Sequence, residues 1–85
     1  MMQHQLSIEA RLRPEILERI LRVVRHRGFQ VCAMNMSSGE NSDSINIAMT
    51  VASQRPVDLL STQLSKLMDV ATVHIQHQTT QQIRA

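Results

Sequence analysis

The sequence predicts an α+β fold in which two helices cover one face of a four-stranded antiparallel sheet. Three observations carry that expectation. Four stretches alternate apolar and polar residues with the period of two that a strand requires, and two stretches between them carry apolar residues at helical spacing. Each helical stretch also opens on a proline, Pro14 and Pro56, so that strand, proline-led helix and strand occur twice. The order βαββαβ is that of the ferredoxin-like split βαβ arrangement.

The first strand is read over residues 4–12, HQLSIEARL, with Leu6, Ile8, Ala10 and Leu12 on one face and Gln5, Ser7, Glu9 and Arg11 on the other. The first helix follows from Pro14, where a missing N–H costs nothing, to Gly28, which can take the left-handed conformation that closes a helix. Its apolar stripe is Ile16, Leu17, Ile20, Leu21, Val23 and Val24. Glu15 and Glu18 near its start and Arg25, His26 and Arg27 near its end suit the helix dipole, and Glu15 with Arg19 and Glu18 with Arg22 have the spacing of stabilising ion pairs.

The second strand spans residues 29–36, with Phe29, Val31 and Ala33 alternating against Gln30, Cys32 and Met34, and both faces are fairly apolar. The turn formers SSGENSDS lead to a third strand over residues 45–52, which should pair with the second as a hairpin. The second helix, from Pro56, places Val57, Leu60, Leu64, Leu67 and Met68 on one stripe. A fourth strand covers residues 70–77, with Ala71, Val73 and Ile75 against Thr72, His74 and Gln76, and a polar tail fills residues 78–85. Residues 1–77 therefore form a single domain. On its uncovered sheet face the alternation places Ser7, Glu9, Cys32, Met34, Ala48, Thr50 and Thr72, and the second strand is expected at a sheet edge, open to another strand.

At 85 residues, with one Phe and neither Trp nor Tyr, the core must be aliphatic and Met-rich. A chain of this size buries roughly 60–65% of its unfolded surface, so its stability is marginal and a partner surface would add to it. The pI near 9.5 goes with a net charge of only +2, and the positive residues are concentrated on one helix, which reads as a solvated face rather than a nucleic-acid surface. One cysteine, no signal-peptide pattern and no long apolar run fit a cytoplasmic protein with no membrane association.

No constellation for catalysis stands out. His74 and His77, three apart in a strand, point to opposite faces, and His4 and His26 have no ligand at metal spacing. Cys32 lacks a nearby base, and Gly28 and Gly39 do not make a phosphate loop. The exposed rings that stack RNA bases on this fold are missing, as is the Cys-x-x-Cys loop of a metal chaperone. No catalytic residue and no metal site are expected, and a binding or regulatory module remains.

The stretch PEILERILRVVRHRGFQVCAMNM resembles the opening of an ACT domain, in particular that of the small regulatory subunits of acetolactate synthase, also called acetohydroxyacid synthase. That family shows a pattern like N-x-P-G-x-L-x-R-V, an apolar helix, then R-G-[FY]-x-I. Pro14, Leu17, Arg19, Ile20, Val23, Val24, Arg27, Gly28, Phe29 and Val31 match it in order. The likeness extends over the whole chain, whose length is similar to the shortest, single-domain form of the family, the isozyme II type. The resemblance implies an activating subunit with no cofactor of its own. Its partner would be a large catalytic subunit carrying thiamine diphosphate, Mg and FAD, which condenses pyruvate with pyruvate or 2-oxobutyrate in valine, leucine and isoleucine biosynthesis.

In the related domains an amino-acid effector sits at the loop after the first strand, reached through an Asn and a Gly at a dimer interface. The matching segment here is Leu12, Arg13, Pro14, Glu15 and Ile16, with Leu12 and Glu15 in place of the Asn and the Gly. Leucine cannot supply the amide hydrogen bonds and glutamate adds a negative charge near a ligand carboxylate, so weak or absent valine inhibition is expected. The partner or dimer surface is expected at Arg19, Arg22, Arg25, His26 and Arg27 of the first helix and at Cys32, Met34 and Met36 on or beside the edge strand, through which a homodimer would form. Two other readings stay open: a free-standing ACT-type amino-acid sensor regulating another enzyme, and a nucleic-acid binder using the helix arginines.

Overall fold

In the computed structural model, which describes residues 2–39 and 41–76, the elements follow the expected order. They are β1 (Met2–Arg11), α1 (Ile16–His26), β2 (Gln30–Ser38), β3 (Ser44–Ser53), α2 (Val57–Ser65) and β4 (Val70–Gln76). The sheet runs β2-β3-β1-β4 with every neighbouring pair antiparallel, so β2 and β4 form its edges. His77 and the tail at 78–85 lie outside the described residues.

The core lies between the helices and one face of the central strands. Leu6, Ile8 and Ala10 of β1 stand opposite Met49, Ile47 and Ile45 of β3, and all six are buried. Onto them pack Ile16, Ile20 and Val24 of α1, successive at i, i+4 and i+8, and Leu60 and Leu64 of α2. Each fully buried Leu, Ile or Met contributes about 1.5–3 kcal/mol, and with Phe29 as the single ring these aliphatic contacts carry the domain.

The helix ends are set by local chemistry. Pro14 occupies the second position of a turn closed by Ile16 N donating to Arg13 O at 3.2 Å, the place where its fixed φ is favoured, so α1 proper begins two residues after it. At the other end Gly28 has φ +83°, and Gly28 N donates to Arg25 O while Phe29 N donates to Val24 O, both at 3.0 Å. This is a Schellman closure, and Phe29 and Val24 make its apolar contact, both buried. Pro56 stands one position before α2, as its N-cap.

Four positions depart from the alternation read along the chain. Leu12 continues the inward face of β1 in the sequence, yet β1 ends at Arg11 and Leu12 is 54% exposed. In β2 a bulge at Cys32 lets Val31 face Val51 while Ala33 faces Thr50. Every later residue is thereby reversed: Met34 and Met36 stand opposite the buried Met49 and Ile47, on the helix side, and Ala33 and Asn35 take the open face where Met34 was expected. A second bulge in β4 turns Ala71 outward and gives its inward place to Val70. Met68 follows the end of α2 at Ser65 and sits in a turn closed by Val70 N donating to Leu67 O, which leaves it 89% exposed instead of in the helix stripe.

Gly28→Ala should lower stability by about 1–2 kcal/mol, because an L side chain is disfavoured at this φ and its Cβ would lie 3.0 Å from Arg55 Nε. The midpoint of urea unfolding reads this directly. A midpoint equal to that of the parent would show that the left-handed closure is not required.

Candidate functional site

Where β1 leaves the sheet, two other loops grip it. Arg11 N donates to Asp69 O and Leu12 N donates to Asp43 O, each at 2.7 Å. The Asp69 side chain, 13% exposed, also lies 3.7 Å from Arg13 Nε and 3.9 Å from Arg19 Nη1. At those distances the contacts are charge attraction rather than hydrogen bonds, and with both guanidinium groups half-exposed each contributes about 1 kcal/mol or less. The expected pairs Glu15–Arg19 and Glu18–Arg22 are not among the ion pairs of the described residues. Arg19 turns instead toward Asp69, whose carboxylate is less screened by water than that of the exposed Glu15.

The five loop positions singled out in the sequence divide accordingly. Leu12, Arg13, Pro14 and Glu15 are exposed, whereas Ile16 is 2% exposed and belongs to the core. Glu15 is the N-cap residue of α1, but its side chain makes no capping hydrogen bond. Leu12, Arg13, Asp43, Met68, Asp69 and Ala71 are among the residues lining an open groove of about 780 Å³ at this end of the domain. Asp69 and Asp43 were not singled out from the sequence, and Met68 was read there as part of the apolar stripe of the second helix. The signal for Met68 was its position directly after Leu67, since two adjacent residues cannot both face the core once the helix has ended.

The second candidate surface lies along α1 and β2. Arg22, Arg25 and His26, together with Glu18 and Leu21, line an open depression of about 600 Å³ on the outer side of α1. Arg19 is drawn away to Asp69, and Arg27 Nη2 donates to Gln63 Oε1 at 3.1 Å, which ties the end of α1 to α2. Cys32 is exposed at the β2 bulge, with Gln3 Nε2 4.0 Å from its Sγ. Met34 is half-buried against the core and Met36 is 46% exposed near the end of the edge strand. The structure thus joins three of the five helix residues, Arg22, Arg25 and His26, in one depression and separates Cys32 from the two methionines.

Among the described residues no three His, Cys, Asp or Glu side chains come together as metal ligands, and no helix is long and apolar enough to cross a membrane. The ACT domain family matches residues 12–73. The chain is 62% identical to the acetolactate synthase isozyme 2 small subunit of Escherichia coli, in an alignment covering all of both chains. Among solved structures, the acetolactate synthase small subunit from Thermotoga maritima has a TM-score of 0.78 at 17% identity, over 88% of this chain and 47% of that one. The ACT domain of GTP pyrophosphokinase from Chlorobium tepidum has a TM-score of 0.73 at 12% identity, over 87% of this chain and 96% of that one. At such identities the likeness to these two structures is one of fold.

If the Asp69 carboxylate helps to hold the loop, a double-mutant cycle of Asp69→Asn with Arg13→Gln should read a coupling of about 0.5–1 kcal/mol at low salt, fading toward zero near 1 M salt. Zero coupling at low salt would leave the two backbone hydrogen bonds and the Arg19 contact to hold the loop.

Proposed function

This chain belongs to the ACT domain family and, within it, to the acetolactate synthase isozyme 2 small subunits, and from that membership we propose that it binds and activates an acetolactate synthase large subunit. The observation that carries the reading is the 62% identity across the full length of both chains. The subunit is regulatory and non-catalytic by itself. The condensation of pyruvate with pyruvate or 2-oxobutyrate, for valine, leucine and isoleucine biosynthesis, takes place on the large subunit, which carries thiamine diphosphate, Mg and FAD. Both subunits act in the cytoplasm. Activation requires that this chain bind the competent form of the enzyme better than the incompetent one, and a coupling of ~1–3 kcal/mol gives roughly 5–150-fold.

Valine has little hold here. Leu12 brings no amide to the loop, Glu15 brings a negative charge, and the backbone N–H groups of Arg11 and Leu12 are already bonded to Asp69 and Asp43. The subunit also pairs with a second copy through the edge strand β2, whose outer backbone groups have no strand beside them in the sheet. The basic depression on α1 and the exposed Met36 lie ready for such contacts.

Purified catalytic subunit of the isozyme 2 type should form acetolactate several-fold faster when this chain is added, and valine should leave the increase intact. A rise that valine reverses would keep the activating role and overturn the argument from Leu12 and Glu15. If a competent catalytic subunit shows no rise at all, the free-standing sensor reading replaces this one. Met36→Glu tests the edge: it should lower the mass of the isolated subunit in solution, and an unchanged mass removes this strand from the interface. Met36 serves better than Met34 here, since a charge at the half-buried Met34 would disturb the core itself.

A further inference from the structure

We draw no further inference here: the strongest candidate, the open groove at the exit of β1 where Leu12 and Met68 stand exposed, is lined by acidic and basic side chains alike, and nothing in the structure shows what covers it.

Discussion

The antiparallel pairing of β1 with β3, from Met2–Ser53 to Arg11–Ser44, is the constraint on which the rest of the domain depends. Its register sets Leu6, Ile8 and Ala10 against Met49, Ile47 and Ile45, and so creates the one apolar plane onto which both helices can close. Side chains alternate across a strand, so a slip of one residue would send half of the core into water. No large aromatic cluster exists to absorb such an error. The chain instead pins the register at one end of this ladder, where Ser44 Oγ donates to Asn41 O in the β2–β3 loop and the exit of β1 is held through Arg11 and Leu12.

The elements that rest on local patterns were legible in the sequence. The stripe Ile16, Ile20, Val24 and the Gly28 closure are written in neighbouring residues, and the alternation in β1 and β3 is uninterrupted where both strands lie in the middle of the sheet. The edge strands were less legible for a physical reason. A bulge is a choice between two pairings of similar local propensity, decided by what the partner strand offers, so nothing in VCAM reveals that Cys32 will be the extra residue. With both faces of β2 apolar, its pattern could not show the reversal that carries Met34 to the helix side. The site was partly legible: the loop after β1 was found from its resemblance to a family, but Asp69, which reaches that loop from the far side of α2, is a contact across the fold that no local spacing announces.

Asp69 also explains why the loop end is a credible place for regulation. One residue meets β1 through its carbonyl and the start of α1 through its carboxylate, and it directly precedes β4. A partner that shifts this turn would be felt by the exit of the central strand and by the first turns of α1. The coupling needed for activation is of the size of a few such contacts, ~1–3 kcal/mol.

The bulges at Cys32 and Ala71 have one more effect, on growth rather than on shape. Each interrupts the ladder of an outermost strand and adds local twist, so neither margin of the sheet offers a long, flat template. A sheet with two straight margins can add copies on both sides without limit, as a fibril does. One whose margins are both kinked favours associations that close after few members, which suits a small accessory chain that must remain available to a larger enzyme.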